Sequence, residues 1–417
     1  MTPDDQTTAD KTPDDPTIAD QSGNDPLASI DADAVAELFD MTAPQDRYVK
    51  LIDQAPVLRP LDGLAMVFSR SAVEEALRDP KRFSSAYNGG INLGNTRPLI
   101  PLSVDPPDHS KYRKILDPLF APKRMDAIED DVAARANRFI DAFVDRGECH
   151  FTDELATPFP SSVFLGLMGL PWEELDTFLA MKDGIIRPGA PDSTMEERQQ
   201  IQVDTGQDIY RYFDAILDER ARSPQDDILS HFLSAEVDGD QLTREEILDI
   251  CFLFLIAGLD TVTDSLTCFY TFLSQHPEHR RQLADDPSLI PSAVEELLRW
   301  ESPVPGVPRF CTSDTELAGC PIKTGDAVQV LVGAANVDPA AFADAFDVRF
   351  DRENNPHIAF GGGVHRCLGS HLARRELRIM LREWHRRIPE YELKPGVVPQ
   401  YAMGLRHVEN LELVWET

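Results

Sequence analysis

The chain has 417 residues, and its 72 acidic and 40 basic side chains give a formal net charge of −32 at pH 7. This charge disfavours binding to nucleic acid or to an anionic membrane, so neither is expected as a partner. The six cysteines are scattered without a CxxC pair, and no apolar stretch follows a basic start. Both features predict a protein of the reducing cytoplasm rather than a secreted, disulfide-stabilised one.

An acidic tandem repeat opens the chain, in residues 2–11 and 12–21. The repeat contains several prolines and almost no large apolar side chain, so it cannot bury enough surface to offset the entropy of ordering. We therefore predict a disordered tail over residues 1–26. Because no internal linker is visible beyond this tail, we expect one large domain over residues 27–417.

Beyond the tail, helical patterns predominate and strand patterns are few. Short runs of apolar and β-branched residues predict strands at residues 64–68, 327–332 and 411–415. Most of the remaining chain has helical periodicity with connections marked by proline. The predicted fold class is mainly α with a small β region.

The clearest helix begins at a capping box formed by Thr243 and Glu246. It continues through an apolar run at residues 250–259 and ends before His276. About thirty residues span roughly 45 Å, which is enough to cross a whole domain. Asp260 and Asp264 interrupt the run too soon for a membrane span, so the pattern predicts a helix buried in a large core.

Polar residues interrupt this helix in the segment Ala257-Gly258-Leu259-Asp260-Thr261. Buried polar groups need partners or a chemical role. A glycine permits close approach of a ligand to the backbone, and a threonine can bond a small ligand or admit water to the helix. Taken alone, Asp260 and Thr261 are more simply explained by local hydrogen bonds within the helix.

A glycine-rich loop at residues 360–369 places Cys367 just before another long helix. Glycines 361–363 let the backbone turn sharply and approach a flat ligand, and the following helix directs free N–H groups toward the sulfur. Both effects favour a lowered thiol pKa and an anionic metal ligand. One alternative is a structural buried cysteine. Another is a zinc site, although zinc ligands usually occur in closely spaced pairs; its ligands would be His357, His365, Cys367 and His371.

The loop resembles the haem-ligand signature of the cytochrome P450 family, in which Phe, Gly, Cys and Gly occupy fixed positions; here these are Phe360, Gly363, Cys367 and Gly369. The segment 257–261 resembles the oxygen-activating motif of the same family. Together these matches imply the cytochrome P450 fold over residues 27–417 and a haem b whose iron is bound by the Cys367 sulfur. They also imply that Thr261 steadies activated oxygen and that Asp260 relays protons. Further haem contacts are implied for Ala257, Gly258, Phe360, Gly361 and Gly369.

Other segments at family positions extend the resemblance. Glu296 and Arg299 match an ExxR motif, which implies a buried ion pair that braces the cysteine loop; Arg349 and Arg352 are both candidates for its third member. The haem propionates need cationic or imidazole donors. By resemblance these are His109, Arg113, Arg309 and His365, although each would otherwise be read as an ordinary surface charge. Arg187 is a candidate partner for Asp260, with a simple surface arginine as the alternative.

The substrate pocket is implied only by family position, near residues 89–99 and at Ile256 and Ala257. Its mostly apolar lining predicts a small apolar substrate. Arg97 and Arg406 are candidates for holding a carboxylate or carbonyl group of the substrate, with an orientation toward solvent or toward the haem as the alternatives. The pocket residues predicted from the sequence are Arg97, Val304, Val307 and Leu405.

Basic residues near the cysteine contrast with the acidic chain and imply docking of an acidic iron–sulfur ferredoxin, itself reduced by an NAD(P)H-dependent reductase. Half of them are accounted for equally well as ordinary helical surface charges. These residues are Lys111, Arg113, Lys114, Lys123, Arg124, Arg366, Arg374 and Arg375.

The segment at residues 387–396 is similar to the soluble bacterial branch of the family that includes camphor hydroxylases. We therefore predict a monomeric, cytoplasmic haem-thiolate monooxygenase that uses O2 and two electrons to hydroxylate or epoxidise its substrate. A peroxide-driven haem-thiolate peroxygenase is one alternative, but it would not need Asp260 and Thr261. A haem sensor or carrier without enzymatic activity is the other.

Overall fold

The computed structural model describes residues 40–86, 93–190, 192–237, 239–402 and 404–417. The predicted tail, the start of the predicted domain and the part of the predicted pocket at residues 87–92 lie outside the described residues. Helices account for most of the described chain, and the strands are short. The predicted fold class, mainly α with a small β region, is therefore confirmed.

The helices follow one another along the whole chain, with single turns of 3₁₀ helix between several of them. Their bounds are α1 Pro44–Gln54, α2 Arg70–Arg78, α3 Asp108–Leu116, α4 Pro122–Asp126, α5 Glu129–Asp141, α6 Pro158–Leu167, α7 Leu175–Ile186, α8 Met195–Arg222, α9 Ile228–Ser234, α10 Arg244–Gln275, α11 Pro277–Asp285, α12 Ile290–Glu301, α13 Val332–Ala335 and α14 Ser370–Arg387. In the described residues, none of these helices is both long and apolar enough to cross a membrane.

Within the described residues, the strands form one larger sheet and three small ones. Their bounds are β1 Val57–Leu61, β2 Leu64–Val67, β3 Phe83–Ser84, β4 Glu148–His150, β5 Glu236–Val237, β6 Asp240–Gln241, β7 Val307–Cys311, β8 Thr315–Leu317, β9 Cys320–Ile322, β10 Ala327–Val330, β11 Glu392–Leu393 and β12 Glu412–Val414. The larger sheet has the order β1-β2-β10-β7-β3, and β10 pairs with β2 in parallel, Val328 opposite Ala65. The three strands predicted from the sequence correspond to β2, β10 and β12.

Helix α10 crosses the core and organises the site. It begins at the predicted capping box, in which the Thr243 hydroxyl accepts from the Glu246 N–H and the Glu246 carboxylate accepts from the Thr243 N–H. It ends at Gln275, before His276 as predicted, because Pro277 starts the next helix. Its neighbours include α6, α7, α8, α12 and α14, which cover it on several sides. The helix therefore has little accessible surface, and exposed positions along it are informative.

Candidate functional site

The loop that carries Cys367 is held in a fixed shape by its backbone. Gly361 and Gly363 have φ angles of +68° and +64°, a region that side chains rarely adopt. A Cβ atom on Gly363 would lie 2.1 Å from the Leu77 carbonyl oxygen at the end of α2. At residue 363, the group that approaches the loop backbone closely is therefore the backbone of α2, whereas the sequence predicted close approach to a flat ligand. The Cys367 N–H donates to the Phe360 carbonyl at 2.9 Å and closes the loop.

The predicted N–H donors of the following helix do lie near the Cys367 sulfur, but desolvation outweighs their lowering of the thiol pKa. Although Cys367 is exposed at the surface of the protein alone, desolvation by the surrounding protein atoms raises the pKa of the thiol, whereas the Gly369 N–H and the positive charges of Arg113, Arg366 and Arg374 lower it. In the protein alone, the pKa of the Cys367 thiol lies above its ordinary value. The prediction of a lowered pKa was therefore wrong for the protein alone. Desolvation disfavours a thiolate more strongly than these donors favour it.

The alternative of a zinc site at this loop is not supported. The described residues contain no group of three or more His, Cys, Asp or Glu side chains placed to hold a metal ion. His357, one of the proposed ligands, is engaged elsewhere, with Nε2 3.0 Å from an oxygen of Glu295. Arg374 binds the same carboxylate from the other side of the cysteine loop. Glu295 therefore clamps the two ends of the loop, a role the sequence did not reveal.

Accessible surface occurs at three positions in the middle of α10, where the flanking residues are buried. Ala257 is exposed, and Gly258 and Thr261 are partly exposed, although their neighbours on both sides of the helix are covered. The Thr261 hydroxyl donates to the Ala257 carbonyl at 3.2 Å. A Cβ atom on Gly258 would lie 2.8 Å from the Phe164 ring, so glycine at this position permits α10 to pack against α6.

Asp260 lies beside this accessible strip but is itself 2% exposed. Lys182 places Nζ 3.3 Å from Oδ1, and Arg187 places a guanidinium nitrogen 3.3 Å from Oδ2. The side chain of Lys182 is buried, whereas that of Arg187 reaches solvent. The contact between Arg187 and Asp260 was one of the two interpretations of Arg187. Lys182 was missed, and its only sequence signal is a lone lysine among the apolar residues of α7.

Three of the predicted propionate donors lie close together. The His109 and His365 rings have centroids 4.4 Å apart, and the Nε2 atom of each is buried without a hydrogen-bond partner. Burial lowers the pKa of both imidazoles, to about 4 for His365, where His109 and Arg309 add to the effect. Arg309 is also buried, which lowers its pKa to about 10. Unpaired buried donors of this kind suit an anionic group such as a carboxylate.

Arg113, the fourth predicted donor, is oriented toward the cysteine loop. Its guanidinium donates to the Arg366 carbonyl at 2.8 Å and pairs with Asp117 at 2.7 Å. These contacts make Arg113 a support for the backbone next to Cys367.

The guanidinium groups of Arg97 and Arg406 are each paired with a carboxylate of the protein and are not left unpaired for a ligand. The Arg97 Nε lies 2.9 Å from both oxygens of Asp249, and the guanidinium stacks over the Tyr210 ring at 4.8 Å. Arg406 is buried in an ion pair with Glu301. Since both charges are already compensated, the structure corrects the expectation that they hold a polar group of the substrate. Val304, Val307 and Leu405 are partly exposed.

The ion pair predicted from the ExxR motif is formed, with Arg299 Nη2 2.8 Å from Glu296 Oε1 and both side chains fully buried. Burial is the largest single effect and raises the pKa of Glu296, but the hydrogen bond and charge of Arg299, the Arg349 N–H and the charge of Arg352 together outweigh it, so the pKa is lowered. The third member is Arg352, whose Nε lies 3.0 Å from the carboxylate. Arg349 contributes only its backbone N–H, and its side chain turns outward to Asp351.

This network reaches the cysteine loop through Asn336. Arg299 donates to the Asn336 carbonyl at 3.0 Å, and the Asn336 side chain accepts from the Ile358 N–H at 2.8 Å. Ile358 lies two residues before Phe360, the first residue of the loop. The brace implied by the resemblance therefore has a continuous path of hydrogen bonds.

The basic residues around the loop divide into two groups. Several have acidic partners within the protein: Lys111 with Glu246, Arg113 with Asp117, Arg374 with Glu295, and Arg375 with Asp126 and Glu129. Lys123, Arg124 and Arg366 are exposed, and no acidic side chain among the described residues forms a salt bridge with them. Uncompensated positive charge near the cysteine loop is therefore carried by fewer residues than the sequence indicated.

A search of protein families matches residues 177–395 to the model described as cytochrome P450. Among similar curated proteins, the probable cytochrome P450 127A1 of Sinorhizobium fredii is 35% identical over 81% of this chain and 80% of its own length. The steroid C26-monooxygenase of Mycobacterium tuberculosis is 36% identical over 81% of this chain and 90% of its own. The mycinamicin IV hydroxylase/epoxidase of Micromonospora griseorubida is 33% identical, with coverage of 88% and 95%.

Solved structures show the same similarity in three dimensions. CYP109E1 from Bacillus megaterium in complex with corticosterone superimposes with a TM-score of 0.81 at 31% identity, covering 89% of this chain and 98% of its own. CYP109B1 from Bacillus subtilis, described as a versatile cytochrome P450 enzyme, gives a TM-score of 0.80 at 29% identity, with coverage of 90% and 100%.

Proposed function

Because the chain belongs to the cytochrome P450 family, we propose that it is a haem b monooxygenase that hydroxylates or epoxidises a small apolar substrate. The named relatives are monooxygenases and hydroxylases, so the enzyme class and the use of haem iron and O2 follow from the family. The kind of haem, the substrate and the electron donor do not follow from the family and are part of this proposal.

One observation carries the proposal: Thr261 lies on the accessible strip of α10, and the adjacent Asp260 is buried and held by Lys182 and Arg187. A buried carboxylate between two cations and a hydroxyl at accessible surface can pass a proton from outside to a reacting oxygen. A protein that only stored or sensed haem would have no need for this arrangement.

The residues present fit a haem. When bound, that group would supply the iron chemistry that activates O2. Cys367 would provide the sulfur ligand, and the backbone N–H of Gly369 already supports that sulfur. His109, His365 and Arg309 would hold the carboxylates, because all three are largely covered and Nε2 of each histidine is buried without a hydrogen-bond partner among the described residues. The arginine and neutral imidazoles are suitable donors for this purpose.

The central test is the absorption spectrum of the reduced enzyme with carbon monoxide. Thiolate ligation by Cys367 predicts a strongly red-shifted Soret band, and Cys367→Ser should abolish the shift. The pyridine haemochrome spectrum would identify haem b. An unshifted band in the wild-type enzyme would contradict the proposal. If NAD(P)H with redox partners fails to support turnover and hydrogen peroxide alone succeeds, the peroxygenase alternative would replace it.

An apolar substrate is supported by the character of the relatives and of the predicted lining. The relatives are named for a steroid, a methyl-branched lipid and mycinamicin, and one similar structure contains corticosterone. Val304, Val307 and Leu405 supply apolar surface, and the charge of Arg97 is compensated by Asp249. We expect a low-to-high-spin shift with terpenoids, steroids or fatty acids. A shift only with charged polar compounds would contradict this assignment.

Electrons must come from redox partners, and we propose an acidic ferredoxin with its NAD(P)H-dependent reductase. Lys123, Arg124 and Arg366 supply the uncompensated positive charge near the cysteine loop. Attraction between such a surface and an acidic partner weakens as salt increases. Charge reversal at these three positions should slow reduction by ferredoxin at low salt. The matched control is Arg211→Glu on α8, an exposed arginine on another surface; equal effects of all four variants would contradict this docking surface.

We propose that the enzyme acts in the cytoplasm as a monomer. The scattered cysteines support a reducing compartment. Size-exclusion chromatography coupled to light scattering would test the monomer, and a stable dimer at micromolar concentration would contradict it.

A further inference from the structure

A second buried carboxylate lies one helical turn beyond Asp260 on α10. Asp264 has no exposed surface, and its Oδ1 lies 2.9 Å from Nδ1 of His407, which is also buried. Among the described residues, neither oxygen of Asp264 nor Nδ1 of His407 has a partner with hydrogen-bond geometry, so the two side chains meet as a close ion-pair contact. A carboxylate in this position is costly unless it is neutral or paired. The pair is not explained by the roles already assigned to this helix.

His407 is held in place by the backbone around it. Its carbonyl accepts from the Ala402 N–H at 2.9 Å, and the N–H of the next residue, Val408, donates to the Thr267 hydroxyl at 3.2 Å. Leu405, a predicted pocket residue, lies two positions earlier in the same segment. The imidazole therefore connects this segment to the helix that carries Asp260 and Thr261.

The charged groups around the pair come from each element that packs against it. Burial and the negative charge of Asp260 raise the pKa of Asp264 to about 6, against the effects of His407 and Arg187. Two carboxylates one turn apart on a helix titrate together, because ionising one disfavours ionising the other. The titratable and charged side chains concerned are Asp260, Lys182, Asp183, Arg187, Cys268, Arg406 and Glu301.

We propose that Asp264 and His407 form a buried acid–base pair that sets the proton affinity of Asp260. This inference rests on the proposed function, because it assigns positioning residues to the same proton relay. Within the pair, one proton moves between Nδ1 of His407 and Oδ1 of Asp264, converting imidazolium and carboxylate into neutral imidazole and carboxylic acid. The step forms one O–H bond, breaks one N–H bond and needs no oxidant or reductant.

Loss of that proton to solvent leaves a negative charge beside Asp260. Repulsion then favours the protonated form of Asp260, so the relay keeps a proton available at higher pH. Lys182 and Arg187 remain bound to Asp260 in both states and keep it oriented.

The test compares Asp264→Asn, His407→Gln and the double variant with the wild-type holoenzyme. The measured reaction is NAD(P)H-dependent reduction of O2, driven by a purified ferredoxin and its reductase, as a function of pH. In each variant the alkaline limb of the profile should move to lower pH, by roughly one unit for Asp264→Asn. The double variant should shift no further than Asp264→Asn, because both changes remove the same charge.

Infrared difference spectra of the holoenzyme between acidic and alkaline pH provide a readout independent of turnover. The wild-type protein should show the C=O stretch of a buried carboxylic acid that titrates near neutral pH. Asp264→Asn should lose this band, and His407→Gln should move its titration to higher pH. If Asp264→Asn does not fold, His407→Gln still tests the pair in both experiments.

The matched control is Asp227→Asn, which removes one carboxylate of another buried ion pair, with Arg220. It should reduce stability and leave the pH profile unchanged. Superimposable profiles of wild type, Asp264→Asn and His407→Gln would overturn the inference, as would an acid band that persists in Asp264→Asn. Absence of wild-type turnover with redox partners would instead contradict the proposed function, so the two failures are distinguishable.

Discussion

Lys182 on α7 and Asp260 on α10 form an ion pair in which both side chains are buried, 1% and 2% exposed, with Nζ 3.3 Å from Oδ1. Removal of Lys182 would leave the buried Asp260 carboxylate with only the partly exposed Arg187 as its cation, which is more costly than loss of a surface pair. The contact therefore orients Asp260 and links α7 to the helix that carries the candidate proton relay.

Lys182→Met should lower the free energy of unfolding by about 3 kcal/mol, because it leaves Asp260 with Arg187 alone. Urea unfolding of the holoenzyme would measure the change. The control is Arg187→Met, which removes a solvent-exposed partner of the same carboxylate and should cost less. A larger cost for Arg187→Met would show that the buried lysine is not the principal partner.

Asp260→Asn should slow NAD(P)H oxidation by roughly 100-fold, because an amide cannot pass a proton. The solvent deuterium isotope effect on the same reaction should increase, since proton delivery becomes more limiting. Normal rates and an unchanged isotope effect would remove Asp260 from the relay.

Thr261→Ala should have a different effect, with NAD(P)H consumption retained but diverted to hydrogen peroxide. The hydroxyl on the accessible strip would be lost while Asp260 and its cations remain in place. The ratio of peroxide released to NAD(P)H consumed measures this uncoupling. Thr261→Ser, which keeps the hydroxyl, should remain close to wild type; equal coupling in wild type and Thr261→Ala would exclude this role.

Arg352→Ala and Arg349→Ala form a matched pair for the network around Glu296. The Arg352 guanidinium binds the buried carboxylate, so its removal should cost about 3 kcal/mol and promote loss of haem. Arg349 contacts Glu296 only through its backbone N–H, so its side chain should be dispensable. Haem retention and unfolding free energy would be compared for the two variants. Similar losses in both would contradict the assignment of Arg352 as the third member.

Stability should depend on pH through Asp264. Its pKa of about 6 lies above the ordinary value of 3.8, so its contribution to stability is present below about pH 4 and is lost as pH rises through about 6. Relative to wild type, Asp264→Asn should therefore gain on the order of 3 kcal/mol above pH 6 and little below pH 4. Urea unfolding at several pH values measures this difference. A gain that appeared only at low pH would have the wrong sign.

The elements that depend on local spacing were determined by the sequence alone. The capping box and end of α10, strands β2, β10 and β12, and the pair of Glu296 and Arg299 each follow from residues a few positions apart. The cysteine loop belongs with them, because its glycines and the helix that follows are contiguous in the chain. Patterns of this kind are visible without knowledge of how distant segments pack.

Only the tertiary structure decided which distant side chains meet. Lys182 reaches Asp260, His407 reaches Asp264 and Arg97 turns to Asp249, in each case across separate elements of the fold. Such contacts depend on the rotation and spacing of packed helices, which leave no local signature in the sequence. The direction of the pKa shift of Cys367 also depends on packing, because desolvation and the nearby positive charges come from separate segments. The electrostatic environment of a side chain is set by every segment that packs around it, and these segments are distant in the sequence.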